Sequence, residues 1–179
     1  LCSFCPRDKT PQQGMMSFDT FQQVILRAEE LVTTPEINFT GQGESLLHPD
    51  IVTFAEYLQH RGHGFGITSN ASLLDEKKAH DLLDRGLARI TFSISDFGED
   101  YEEVYALSYD NTRANIMSFL DINNGRADVR ISIVEHDINR DKIPAMRKFW
   151  REAGITQVFH FKQLNRAGAC DQGHYFIGN

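Results

Sequence analysis

Cysteine is scarce in this chain: Cys2, Cys5 and Cys170 are the three present among 179 residues. An odd, sparse set argues against the disulfide framework of a small secreted protein and points to a reducing, cytoplasmic setting. Long apolar runs are missing too. None approaches the ~20 residues of a membrane span, so no membrane partner is expected. Cations are outnumbered, 18 Lys and Arg against 25 Asp and Glu for a formal net charge of -7, and they form no block. That argues against a nucleic-acid partner. The first residues are polar and turn-like, without the pattern of a secretory leader. What is present is 41% hydrophobic content over 179 residues, enough for one substantial core and not two.

Two of the three cysteines stand together at the start, in LCSFCPR. A C-x-x-C pair can be half a zinc site, a redox dithiol, a disulfide or part of an iron–sulfur ligand set. A zinc knuckle needs two more Cys or His at short spacing. His48, His60 and His63 exist, but His60 and His63 fall at the end of a predicted helix, where a solvated face is the ordinary reading. A thioredoxin-like pair follows a strand and opens a helix, whereas Pro6 and a polar stretch to Gly14 follow here.

From Ser17 the periodicity changes to that of a helix. Phe18, Phe21, Val24, Ile25, Ala28 and Leu31 share one face, with Ser17 as N-cap, and Pro35 marks where that helix has ended. The strand PEINFT follows, and the pattern recurs: helices over about 50–61, 75–85, 111–122 and 141–153 alternate with GFGITSN, RITFSIS, DVRISIVE and TQVFHFKQL. Gly62, Gly86, Gly125 and Gly154 stand where left-handed C-caps are needed. Met146, Phe149 and Trp150 read as the packing face of the last helix. Strands joined through helices of this length run parallel with right-handed crossovers, so the class is α/β, an open sheet or part of a barrel.

Ligands of such folds gather at the C-terminal ends of the strands. Those ends read FTGQGES, ITSN, SISD, IVEHD and QLNRAG, polar and of little bulk, as a small-molecule site requires. In the first, Gly41 and Gly43 flank Gln42 and Glu44 follows. Glycine lets the backbone approach a ligand closely, and a carboxylate there can pair with an ammonium group. A tight turn with a solvated Glu44 is the alternative. Arg130 is ambiguous in its side of the sheet, though inside a barrel it could meet a carboxylate.

Together these pieces resemble the radical S-adenosylmethionine (SAM) enzymes. LCSFCPR looks like the last two cysteines of their CxxxCxxC motif, with Phe4 as its aromatic. TGQGESLLHP looks like their glycine–glutamate motif, ITSNASLL and ARITFSIS like their third- and fourth-strand segments, and LNRAG like the sixth-strand segment of SPASM and twitch members. The resemblance implies a partial (β/α)6, TIM-like barrel of parallel strands whose first strand is missing from the text. It implies a core domain over 1–179, cut at both ends, with an auxiliary-cluster extension beginning at about 166–179. Cys170 could start that motif or be a lone free thiol. The first motif cysteine would lie three residues before Leu1. Ser45 replaces the usual proline, and Ser95, next to Asp96, stands where many relatives have Asp, which leaves that contact open.

Carried over residue by residue, the resemblance makes Cys2 and Cys5 ligands of a [4Fe–4S] cluster that binds SAM and cleaves it to a 5′-deoxyadenosyl radical. Phe4 would border adenine. Gln42, Gly43 and Glu44 would hold the methionine ammonium, with Glu44 as counter-charge. Ser93 would face the methionine carboxylate or ribose, Ser132 the ribose, and Asn70 the methionine end or the substrate. The enzyme would be of oxidoreductase or maturase type, acting on a peptide or small metabolite, with an electron donor such as flavodoxin or ferredoxin. The alternative is a zinc-binding or small-molecule-binding α/β domain without radical chemistry.

Overall fold

Ser17 begins the folded chain by accepting a hydrogen bond from the Thr20 amide, which caps helix α1 (Phe18–Leu31). In the computed structural model, residues 14–41, 43–136 and 138–162 are described. The expectations for Cys2, Phe4, Cys5, Gln42, Cys170 and the extension after residue 165 lie outside them. Five units follow α1: β1 (Ile37–Phe39), α2 (Ile51–His60), β2 (Phe65–Ser69), α3 (Glu76–Asp84), β3 (Leu87–Ser93), α4 (Gly98–Tyr105), α5 (Tyr109–Asn123), β4 (Asp128–Glu135), α6 (Ile143–Glu152) and β5 (Gln157–Lys162). None of the described helices is long and apolar enough to cross a membrane.

All neighbouring strands pair in parallel, and their spatial order is their sequence order, β1-β2-β3-β4-β5. This settles the choice between open sheet and barrel. A doubly wound sheet reverses its strand order to place helices on both faces; right-handed crossovers that always step the same way place them all on one. The strands show the result. Ile67, Ile90, Phe92, Ile131, Ile133 and Val158 are buried on the helix side. The residues between them, Gly66, Thr68, Arg89, Thr91, Asp128, Arg130 and Ser132, share the other face by register. The sheet is the wall of a partial TIM-like barrel, with a polar inner face.

The outer core is aromatic at one end. Phe21 stacks on Phe54 with ring centroids 4.3 Å apart, and Phe39 and Phe18 close around the pair at 5.8 and 5.9 Å. At the other end Met146 and Trp150 are fully buried under α6, as the sequence predicts. Gly62, Gly86, Gly125 and Gly154 all take positive φ.

Two expectations need correction. The stripe on α1 is only partly used: Phe21 and Ile25 are buried, but Val24 is 49% and Leu31 84% exposed. The described elements cover the side toward α2 and β1, and these two side chains flank it. The sequence reading also left residues 96–110 without an element, where the structure has α4. That helix has eight residues, opens on Gly98 at φ 50° and has no side-chain N-cap bond, so its start signals are weak. Its buried Tyr101, Val104 and Tyr105 carry a helical spacing too short to stand out.

An ionic clasp joins α1 to the end of α2. Arg61 Nε donates to Glu29 Oε1 at 2.7 Å, its Nη2 pairs with Glu29 Oε2, and His63 Nε2 lies 2.7 Å from Glu29 Oε1. The hydrogen bonds from Arg61, then His63, hold the Glu29 carboxyl at about 2, below its ordinary 4.5. A depressed carboxylate stabilises the fold above its unfolded value and loses that contribution as pH falls toward the folded one. Glu29→Gln should therefore melt below wild type at pH 6, with the gap closing between about pH 4.5 and 2. Thermal melts across that range check this; a gap that stays constant with pH would show that the clasp acts by packing alone.

Candidate functional site

At the C-terminal end of β1 the chain passes Gly41, at φ 155°, and reaches Glu44 before a 3₁₀ turn at Ser45–Leu47. Glu44 caps that turn and also reaches across to β2. Its Oε1 accepts from the Leu46 amide at 3.0 Å and the Ser69 hydroxyl at 2.7 Å; its Oε2 accepts from the Asn70 amide at 2.8 Å. A carboxylate offers about four acceptor positions, so one is left for a further donor. Ser45, in the place of the motif's proline, donates its hydroxyl to the Phe39 carbonyl at 3.1 Å. Among the described residues, a Cβ built on Gly41 or Gly43 would meet no atom within 4 Å, so the turn is uncrowded at both glycines.

Across the rim from Glu44 lies a level row of small polar side chains. Ser93 and Ser132 are register partners on β3 and β4. Asn70 follows Ser69, the partner of Phe92, and so falls level with them. The Asn70 Oδ1 accepts from the amide and hydroxyl of Ser72 at 2.9 and 2.7 Å, which fixes its side chain and leaves the Nδ2 donors for a ligand. Neither serine hydroxyl bonds another described residue. Thus Glu44, Gly43, Asn70, Ser93 and Ser132 are brought to one rim.

Ser95 and Asp96 go elsewhere. Both are fully buried. Ser95 Oγ accepts from the Val134 amide at 2.9 Å, and Asp96 Oδ1 accepts from the Phe97 amide at 2.9 Å and from Lys142 Nζ at 3.3 Å. Lys142 also pairs with Asp100. Burial lowers the Lys142 pKa, but the bonds from Asp100 and Asp96 outweigh it and hold the ammonium above its ordinary range. The position left open in the sequence reading is therefore a junction between β3 and β4. Asn139, which the sequence reading missed, completes it: its Nδ2 donates to Ser95 O at 2.5 Å and Val134 O at 2.8 Å, and its Oδ1 accepts from the His136 amide at 2.9 Å. A single Asn in a polar loop gives no sequence signal for that role.

The floor of the inner face is also new. Arg89 Nη1 donates to Glu36 at 2.8 Å and its Nε lies 3.5 Å from Asp128. Arg130 Nε donates to the same Asp128 oxygen at 2.7 Å, and Gln157 Nε2 donates to the other at 2.8 Å. The Arg89 bond, then that of Asn38, lowers the Glu36 pKa. Arg130 thus points inward and meets a carboxylate. The alternation of Asp128, Arg130 and Ser132 with Val129, Ile131 and Ile133 carried that signal. Of the histidines weighed for zinc, His48 donates to the Met16 carbonyl at 2.9 Å and accepts from the Asp50 amide, and His63 joins the α1 clasp. Among the described residues no group of three or more His, Cys, Asp or Glu could hold a metal.

Residues 1–149 match the family model of the radical SAM superfamily. The fold is similar to that of Streptococcus suis SuiB bound to the precursor peptide SuiA, with a TM-score of 0.77 at 17% identity, over 98% of this chain and 39% of that one. It is equally similar to native anSMEcpe with bound AdoMet, at TM-score 0.77 and 15% identity over 91% of this chain and 48% of that one. A tungsten-containing aldehyde ferredoxin oxidoreductase cofactor-modifying protein of Pyrococcus furiosus is 28% identical over 94 residues, 52% of this chain and 26% of that protein. The chain therefore spans about a quarter of this curated relative and less than half of these solved proteins. With the family model covering most of its length, the chain belongs to the radical SAM superfamily.

Proposed function

We propose that this chain is the cofactor-binding core of a radical SAM enzyme that acts on a peptide or small metabolite. The observation that carries the reading is the rim itself: Glu44 with one acceptor position left, a turn uncrowded at Gly41 and Gly43, and Asn70, Ser93 and Ser132 level beside them. This donor set fits the methionine end and ribose of SAM. An ammonium meets an anionic carboxylate, and carboxylate and hydroxyl groups meet serine hydroxyls and a side-chain amide.

Cys2 and Cys5 would supply two thiolates to a [4Fe–4S] cluster, and Phe4 would border adenine. Gln42, Gly43 and Glu44 would hold the methionine ammonium, Ser93 its carboxylate or the ribose, Ser132 the ribose, and Asn70 the methionine end or the substrate. When bound, these cofactors supply reductive cleavage of the sulfonium bond and a 5′-deoxyadenosyl radical for hydrogen abstraction. The chain's own part is positional. Glu44 fixes the ends of β1 and β2 relative to one another, so the ammonium site and Asn70 are set by one carboxylate. The polar inner face orients the substrate beneath the rim. A relative solved with a precursor peptide supports the peptide class, and one named for modifying a cofactor supports the metabolite class. An electron donor of the flavodoxin or ferredoxin type, auxiliary iron–sulfur clusters outside this chain, an oxidoreductase or maturase reaction, and a cytoplasmic location belong to the same proposal.

Full-length protein purified without oxygen should be brown, with visible absorption that bleaches on reduction, and Cys2→Ala or Cys5→Ala should remove most of the colour. A colourless protein carrying stoichiometric zinc after iron–sulfide reconstitution would sink the reading.

Glu44→Gln tests the ammonium site. A charge-assisted hydrogen bond is worth roughly 1.5–3 kcal/mol, or about 10- to 150-fold in affinity. The amide also presents N–H groups to donors that need an acceptor, so the apo protein should melt lower as well. Ser69→Ala removes one of the same internal bonds without touching the charge. Calorimetric titration of SAM should show at least a tenfold loss for Glu44→Gln and a clearly smaller one for Ser69→Ala. Equal losses would reduce Glu44 to a purely structural cap.

A further inference from the structure

Two phenyl rings, with Val134 beside one of them, break the polar run of the inner face. Phe159 and Phe161 alternate along β5 with His160 and are 44% and 51% exposed. By register they share the inner face, Phe159 beside Ser132 and Phe161 beside Val134. Phe159 therefore lies level with the rim row, next to the residue assigned to ribose. Nothing in the described outer core needs these rings. The stacked aromatic cluster and the Trp150 cluster are both on the helix side.

The charge of this face narrows what can lie against them. Among the described residues its ionised groups are Glu36 and Asp128 against Arg89 and Arg130, and they pair with one another. Two carboxylates and two guanidiniums leave no net charge, so a phosphorylated or sulfated ligand finds no excess of cations and a polyamine no excess of anions. Arg130 is nonetheless not used up. Its Nε and Nη2 both bond one oxygen of Asp128, its guanidinium lies 5.8 Å from the Phe159 ring centre, and Nη1 has no partner among the described residues. A free N–H pair on a compensated guanidinium suits a neutral acceptor, of which a peptide carbonyl is the common case. Spacing points the same way. Residues two apart on a strand are separated by about 6.6 Å, the interval between alternate side chains of an extended peptide.

We propose that Phe159 and Phe161, with Arg130 beside them, form the side-chain wall of the substrate chamber, and that its occupant is an extended, uncharged peptide segment bearing an apolar or aromatic side chain. This rests on the reading of the inner face as the substrate side of a radical SAM core. It selects the peptide class from the two left open there and assigns three residues to specificity. In the occupied state an apolar side chain covers the exposed rings, and a backbone carbonyl accepts from Arg130 Nη1.

The test uses full-length protein without reductant and four capped tripeptides, acetyl-Gly-Xaa-Gly-amide with Xaa as Phe, Leu, Asp or Lys. Binding is followed by NMR of ¹³C-labelled Phe rings assigned through Phe159→Leu and Phe161→Leu. The Phe and Leu peptides should shift the Phe159 and Phe161 resonances and bind at least about fivefold tighter than the Asp and Lys peptides, the scale of one apolar ring contact. Phe161→Ala should abolish that preference with little change in melting temperature, because the ring is half exposed, while Phe161→Leu should keep it. Equal binding of all four peptides, tighter binding of a charged one, or a preference that survives Phe161→Ala would overturn the proposal. Ring shifts need neither cluster nor turnover, so a protein that failed the colour and SAM tests would still report on this wall.

Discussion

Right-handed crossovers between parallel strands that never reverse their order force the described helices that join those strands onto one side of the sheet. The opposite side must then be satisfied without helices. On the covered side, Ile67, Ile90, Phe92, Ile131 and Ile133 give an almost dry contact surface. On the bare side, Glu36 beside β1 reaches past β2 to bond Arg89 on β3, Arg89 lies against Asp128 on β4, and Asp128 accepts from Gln157 on β5. Such an ionic floor adds little net stability where it is solvated. It does fix the lateral positions of β3, β4 and β5 relative to one another, and with them the groups one level above.

Those upper groups depend on two junctions that share one design. Where the backbone ladder ends, a side chain takes over its hydrogen bonds. Glu44 does so between β1 and β2, and Ser95 with Asn139 does so between β3 and β4. In each case an amide at the end of one strand is bonded by a side chain from the neighbouring unit. The two junctions differ in what they leave over. Glu44 keeps an acceptor position and follows a turn uncrowded at Gly41 and Gly43; Asn139 has both ends of its amide engaged inside the protein. The first can serve a ligand and hold the fold together. The second only holds the fold.

The sequence shows which of these features local chemistry can announce. The five parallel strands and the helices after them were legible because hydrophobic period and capping glycines are properties of short segments, whereas the meeting of Glu44, Asn70, Ser93 and Ser132 was implied by the resemblance of their motifs to a known family. The short α4 was not, since Gly98 and an acidic first turn hide a three-residue apolar face. The side of Arg130 was written in the alternation of β4, but only the register with β3 and β5 brings its partners together. Asn139 and the exposed rings of Phe159 and Phe161 have meaning only once neighbouring strands are placed. That Val24 and Leu31 would remain exposed could not be read from a helical stripe, which marks an apolar face and not how much of it is covered.

The Asn139 junction has a consequence for how such a rim diversifies. One amide clamps the Ser95 carbonyl, the Val134 carbonyl and the His136 amide, and farther along the same loop Arg140 pairs with Glu135 and Lys142 with Asp96 and Asp100. The side chains of Ser95 and Asn139 act separately: Ser95 Oγ satisfies the Val134 amide, whereas Asn139 meets only the backbone carbonyls of Ser95 and Val134 and the His136 amide, so losing either leaves its own buried backbone partners unmatched. Across descendants of this chain, each should be held by the backbone groups it satisfies and not by the identity of the other.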